Sequence, residues 1–204
     1  PQAFMNGATA PTMEIRPLPA TDDALRRFAE ELWLPYHRDL AATVEAHALA
    51  DRPDEEIVEA NVDFYRDLLA EANRRGWVAV ADPENEPTPR SAPVVEEAAD
   101  LPADADLPAD ADLAGFVLTS VDACPDVFDR PDRLVIGDIY VAEPYRGSGL
   151  AHRFVERAAA DAHAAGCAEL SLDVDVDNDR ALAFYEKVGC SDYRNQLTMP
   201  TDAV

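Results

Sequence analysis

Lysine is almost missing from this chain: Lys187 stands alone beside sixteen arginines. With 41 Asp and Glu residues and a formal charge of -24, there is no basic footprint of the kind a nucleic-acid backbone demands, so nucleic acid is excluded as a partner. Such a surface repels itself in dilute buffer. The Debye length shrinks to about 3 Å in 1 M salt, which screens most of that repulsion. Hydrated carboxylates in place of long lysine stems therefore point to a halophile's cytoplasm. Cysteine is scarce too. Cys124, Cys167 and Cys190 are odd in number and show no CxxC or Cys/His spacing, so neither a disulfide framework nor a metal site is expected. All three read as small buried hydrophobes in a reducing interior. No apolar run reaches the roughly 18 residues of a membrane span, and no basic-then-apolar signal pattern is present, so the expectation is a soluble protein without a membrane partner.

What is present is enough for one core, at 48% hydrophobic residues in 204. Residues 1–12 read as a leader and 13–204 as a single domain. Met13 to Leu18 alternates like a strand, and Thr21 then caps a helix carrying Leu25, Phe28, Ala29, Leu32 and Trp33 at helical spacing. Pro35 is expected to interrupt it, with a second helix from Tyr36 to Leu49. A third begins near Pro53, with Ile57, Asn61, Phe64, Leu68 and Leu69 inward and Arg74 to Gly76 as its end. Trp77 to Ala81 is a strand.

From Asp82 to Asp112 the composition changes. Ten acids face one arginine, Arg90, and a six-residue unit, Leu101 to Asp106, is repeated as Leu107 to Asp112. Burial in such a segment cannot offset its ordering entropy, so it reads as a solvated acidic insert between two strands. Strands resume at Leu113 to Val121 and Leu134 to Val141, the latter apolar on both faces and so central. A helix with Leu150, Phe154, Val155, Ala158, Ala159 and Ala162 on one face follows, then an alternating run from Ala168 to Val176. Asn178 can cap a last helix, Arg180 to Val188, before a weaker strand near Tyr193 to Met199.

Between the central strand and its helix lies Arg146-Gly147-Ser148-Gly149-Leu150-Ala151. A glycine turn opening a helix is an anion cradle, because the first helical N–H groups lack intrahelical partners and the peptide dipoles add about half a positive charge. Arg146 adds a fixed cation suited to phosphate. A dinucleotide fold is a poor fit, since the turn lacks the full G-x-G-x-x-G and no repeated βαβ unit precedes it.

The turn matches Gln/Arg-x-x-Gly-x-Gly/Ala after a strand. A second element, Asn-x-x-Ala-x-x-Phe-Tyr-x-x-x-Gly, is present as Asn178, Ala181, Phe184, Tyr185 and Gly189. In this order and separation the two motifs resemble the GCN5-related N-acetyltransferase (GNAT) family over about Leu134 to Cys190. The resemblance implies an α/β (α+β) fold, with a central mixed, largely antiparallel sheet that splays at the cofactor site between flanking helices. It implies acetyl-CoA as acyl donor, no metal, and an amine acceptor, a small metabolite or a peptide N-terminus or lysine. It leaves room for a homodimer.

Carried over by residue, the resemblance implies that main-chain N–H groups of Gly147, Ser148, Gly149, Leu150 and Ala151, beside Arg146, bind pyrophosphate. Main-chain groups around Ile139, Tyr140 and Val141 would pair with pantetheine, Asn178 would contact it or hold the splayed strands, and Tyr185 would protonate the departing thiolate. The structural alternatives are a helix cap for Asn178 and a core aromatic for Tyr185. Asp138 is the candidate general base, and regular alternation puts it on one face with Ile136 and Tyr140. Glu30, Glu31, Tyr36 and His37 are acceptor-site candidates, because the first helices form the acceptor wall in the family. The leading function is N-acetyl transfer to a primary amine by direct attack. The alternative is a catalytically silent acyl-CoA-binding or interaction module.

Overall fold

The computed structural model describes residues 12–81, 94–97 and 105–203. It divides into two compact units, Pro1–Asp173 and Val174–Val204. The expected leader, residues 1–12, lies outside the described residues except for Thr12.

The first unit is a six-stranded sheet in the order β3-β1-β2-β4-β5-β6. Its strands are β1 (Thr12–Pro17), β2 (Arg74–Ala81), β3 (Val94–Glu97), β4 (Asp112–Asp122), β5 (Arg133–Val141) and β6 (Glu169–Leu172). The pairs β1–β2, β2–β4 and β4–β5 are antiparallel, while β3 and β6 join β1 and β5 in parallel. Within the acidic segment 82–112, Val94–Glu97 is thus an edge strand rather than solvated loop, the one place there where adjacent valines suit a ladder.

Alternating side chains of these strands feed two cores. On one face Met13, Ile15, Trp77, Ala79, Val117 and Ile136 pack beneath α4 (Leu150–Ala164), which contributes Leu150, Phe154, Ala158 and Ala162. On the other, Val78, Val80, Phe116, Leu118 and Tyr140 meet α1 (Asp22–Phe28) and α3 (Asp54–Ala70) through Leu25, Phe28, Val58, Val62 and Tyr65. Phe28 stands edge-on to both Phe116 and Tyr65, with ring centroids 4.9 and 5.2 Å apart. The buried stripe of α3 is Val58, Asn61, Val62 and Tyr65, with Leu68 and Leu69 partly buried against the same core; of the expected inner line Asn61, Leu68 and Leu69 face inward, whereas Phe64 is exposed. The helix stops at Ala70, and Arg74 and Arg75 open β2 opposite Ser120 and Thr119 instead of closing the helix.

Pro35 does not break the first helix. A π-helical stretch, Ala29–Trp33, joins α1 to α2 (Leu34–Ala41), and Leu34 N–H donates back to Ala29 O. Proline has no N–H and crowds the carbonyl four residues back; one wider turn relieves both problems without ending the helix. The added residue rotates the following helix face by about 100°.

Of the three cysteines only Cys167 is buried, and Cys190 is exposed. The alternating run from Ala168 is a strand only to Leu172, because its partner register on β5 ends at Ile136. The second unit holds α5 (Asp179–Lys187), begun by Asn178 and closed by Gly189 at φ 96°. Tyr193 to Met199 forms no strand; Asn195 interrupts its apolar alternation, which leaves Leu197 and Met199 exposed with no continuous face to bury.

Candidate active site

The site begins at a fault in β5. Leu118 pairs with Asp138 and Thr119 with Ile136, which leaves Gly137 as an extra residue opposite β4. This bulge changes the facing of the strand. Ile136 packs beneath α4, whereas Tyr140 packs with α1 and α3, so Asp138 lies on the face opposite Ile136 and not beside it as regular alternation suggested. A lone glycine in an apolar strand pattern was the signal for the bulge.

Beyond the fault, β5 loses a neighbour. Its register with β6 runs from Arg133↔Glu169 to Ile136↔Leu172, and among the described residues Asp138 to Val141 pair only with β4. Ala142 N–H donates to Ala114 O at 2.9 Å on the β4 side. Alternation therefore turns the N–H and C=O groups of Ile139 and Val141 to the side away from β4. Tyr140 differs: its main chain faces β4 and its ring faces the helices.

Next along the chain, Tyr145 is buried in a short 3-10 turn and donates its hydroxyl to Asp112 at 3.2 Å, fixing the start of the glycine turn. Gly147 and Gly149 adopt φ values of 79° and 90°, the left-handed region that side chains avoid. A Cβ at either would meet nothing within 4 Å, so the turn demands glycine for its backbone and stays open to approach. Ser148 Oγ accepts from Leu150 N–H at 3.3 Å. Helices α1, α3 and α5 each carry Asp or Glu in the first turn, whereas α4 carries none, despite 41 carboxylates in the chain. Its positive end is not offset from within the helix.

On the helical side of β5 a polar and aromatic cluster gathers. Tyr36 donates its hydroxyl to Asp138 Oδ1 at 3.0 Å, and its ring lies 5.5 Å from that of Tyr140 and 5.7 Å from that of Phe116. His37 stacks at a tilt against Trp33 and Tyr36, with centroids at 4.1 and 4.7 Å. Burial pushes the His37 imidazole below its ordinary pKa, against the pull of Asp138, so it is neutral at pH 7. Burial, reinforced by the Asp138 charge, raises the Tyr65 phenol. Tyr140 is likewise raised by burial and then by Asp39, to which it donates at 3.3 Å. Asp39 also receives a guanidinium N–H of Arg146, whose Nε donates to Val141 O at 3.2 Å. Arg146 therefore ties the glycine turn to both the open strand edge and α2.

The structure brings Tyr36, His37, Asp138 and Tyr140 together. It does not bring Glu30 and Glu31 to them: both are exposed, and Glu31 pairs at 2.7 Å with Arg27, which reaches Pro108 O and Ala111 O. In the second unit, Asn178 Oδ1 accepts from Ala181 N–H at 3.1 Å, a helix cap, and Tyr185 is buried with its ring edge-on to Phe184 at 5.3 Å. Asp39 went unremarked in the sequence and Trp33 was read only as part of the apolar line of its helix, although Asp39 sits one helical turn from Tyr36 and Trp33 one turn before it.

The pattern of the Acetyltransferase (GNAT) family matches residues 46–190. Over 54 residues the chain is 41% identical to N-alpha-acetyltransferase MAK3 of Arabidopsis thaliana, a match that spans 26% of this chain and only 28% of that protein. Among solved structures, a Bacillus halodurans protein superposes with a TM-score of 0.64 at 14% identity, covering 91% of this chain and 98% of that one. An aminoglycoside N-acetyltransferase solved with CoA superposes with a TM-score of 0.61 at 13% identity, covering 95% and 97%. These likenesses show a shared mixed α/β fold, and the family match extends over most of the chain, including the bulged strand, the glycine turn and the capped last helix. The chain belongs to the acetyltransferase (GNAT) family of acyltransferases.

Proposed function

We propose that the protein is an acetyl-CoA-dependent N-acetyltransferase acting on a primary amine, working in the concentrated salt of a halophile's cytoplasm. The observation that carries this reading is the open edge of β5 at Ile139 and Val141, next to an open glycine turn and an acid-free helix start. Those groups fit the donor: an extended amide-bearing arm pairs with a strand edge that has no neighbouring strand, and pyrophosphate suits the N–H groups at a helix start with an arginine beside them. Gly147 to Ala151 and Arg146 would hold the pyrophosphate, and Ile139 and Val141 the arm.

Bound acetyl-CoA supplies an activated acetyl thioester. The chain's part is to make the amine neutral, orient it and manage two protons. Asp138, half-buried and already a hydrogen-bond acceptor for Tyr36, would take the proton from the amine as its nitrogen bonds to the acetyl carbon. Main-chain N–H groups on the open edge of β5 would stabilise charge on the acetyl oxygen. The family resemblance assigns Tyr185 to donate its phenolic proton to sulfur as the carbon–sulfur bond breaks. Asn178 combines its capping bond with a contact to the donor arm in the same reading.

The test is thiol release from acetyl-CoA with a panel of primary amines in molar KCl. A rate that rises with amine concentration is expected. Tight CoA binding with no amine-dependent thiol release would replace this reading with a silent acyl-CoA-binding module.

A further inference from the structure

Resting on the N-acetyltransferase reading, we infer that the acceptor is an amine with no carboxylate beside it, such as a peptide N-terminus or an alkylamine, and that free amino acids are rejected. The inference comes from the charges arranged around Asp138. Its hydrogen-bond donor is the neutral hydroxyl of Tyr36, and among the described residues it has no ion-pair partner. The neutral groups around it are aromatic: the His37 ring stands 4.1 Å from that of Trp33 and 4.7 Å from that of Tyr36, and Tyr140 lies 5.5 Å from Tyr36.

The nearest arginine is occupied: Arg146, 5.8 Å from the Tyr140 ring, pairs with Asp39 and in the proposed reading faces the pyrophosphate, and on α2 Arg38 binds Asp54 through both carboxylate oxygens at 2.6 and 2.7 Å. A free amino acid brings its carboxylate within about 4 Å of its amine, so placing the amine at Asp138 sets two carboxylates side by side at a distance where the repulsion is strong even at high effective dielectric. Screening by salt acts least on a half-buried pair. An amine flanked by an amide or a methylene meets only the attraction, and its ammonium form also favours the aromatic faces during binding. Rejection by an unpaired like charge is specificity through repulsion, and it requires no contact to the remainder of the acceptor.

The experiment compares leucinamide with leucine, glycinamide with glycine, and 1-aminobutane as a carboxylate-free reference. Each kcat/KM is expressed per concentration of neutral amine, because amides and acids differ in amine basicity. In the wild-type protein leucinamide and glycinamide should exceed their acids by about 30-fold or more, with 1-aminobutane grouping with the amides. In Asp138→Asn the ratio should fall to within about threefold of unity, although all rates drop. Wild-type leucine turned over as well as leucinamide would overturn this inference alone. No turnover of any of the five amines would overturn the transferase reading and this inference with it.

Discussion

The two halves of β5 differ in one respect with many consequences. Arg133 to Ile136 is paired on both sides, by β4 and by β6, and Leu134 and Ile136 fill the core beneath α4. Asp138 to Val141 is paired only by β4 among the described residues, and its side chains divide between a catalytic carboxylate candidate, an aromatic cluster and a partly buried apolar edge. The halves are comparable in composition, and neither carries more charge in its main chain. Gly137 separates them: the bulge it makes against β4 falls where the ladder with β6 ends. The lesson is that the candidate site is framed by the absence of a hydrogen-bonding neighbour, so the groups it offers include main-chain groups that no side-chain pattern advertises.

The comparison breaks most completely at the turn that extends the open half. Gly149→Asp places a side chain at φ 90°, where only glycine is unstrained, and adds a negative charge at the start of the acid-free helix. CoA affinity measured by calorimetry should fall by at least about 100-fold, corresponding to about 2.7 kcal/mol. Wild-type affinity would sink the assignment of the turn as the pyrophosphate grip. Asp138→Asn tests the side-chain product of the open half. It should lower kcat by about 10²-fold while CoA affinity stays within about twofold, the signature of a lost general base. A drop in CoA affinity instead would assign Asp138 to the donor.

Deleting Gly137 would sharpen the contrast further. Ile136 and Asp138 would then be consecutive and keep their opposite faces, so both cores should persist and thermal melting should shift by no more than a few degrees. What changes is the pairing: a regular β5 can continue its ladder with β6, closing the edge at Ile139. CoA affinity should weaken by about tenfold, measured in the same titration. An unchanged affinity would show that the bulge is incidental to the open edge. Smaller again is Tyr185→Phe, which removes only a hydroxyl. It should lower kcat about tenfold and leave CoA binding intact, since in the proposed mechanism that proton is needed only as sulfur gains charge. Unchanged kcat would return Tyr185 to a purely packing role.

How far the sequence foretold this contrast follows from the same physics. The turn Arg146 to Ala151, the helix after it and the cap at Asn178 were legible because local backbone demands select glycine, apolar spacing and a short polar side chain at fixed positions. Strand β5 was legible as central from its apolar residues. Its bulge was not read, so Asp138 was assigned the wrong companion in Ile136, and the alternating run after Ala168 was read as longer than its ladder allows. Period two records which face is buried; it does not record whether a neighbouring strand is there to bond. Pro35 misled for a related reason, since a π turn absorbs it without any mark in the pattern.

The smallest effect concerns His37, which lines the open half from α2. Its folded pKa is depressed by burial below the ordinary value near 6.5, so between those two values the unfolded chain binds a proton that the folded chain refuses. Stability tied to this group is therefore complete above pH 6.5 and is lost as pH falls through the folded pKa. Chemical denaturation of the wild type across pH 7 to 5 should show a decline that His37→Gln flattens, because glutamine retains polarity and has no proton to gain. The other half of the strand has no such group among its buried residues, so a matched substitution there, Ile136→Val, should lower stability by about 1 kcal/mol at every pH in that range. If His37→Gln leaves the slope unchanged, the acid sensitivity belongs to the carboxylates of this strongly acidic surface, and the open half owes its chemistry to Asp138 and main-chain groups without a buried neutral imidazole beside them.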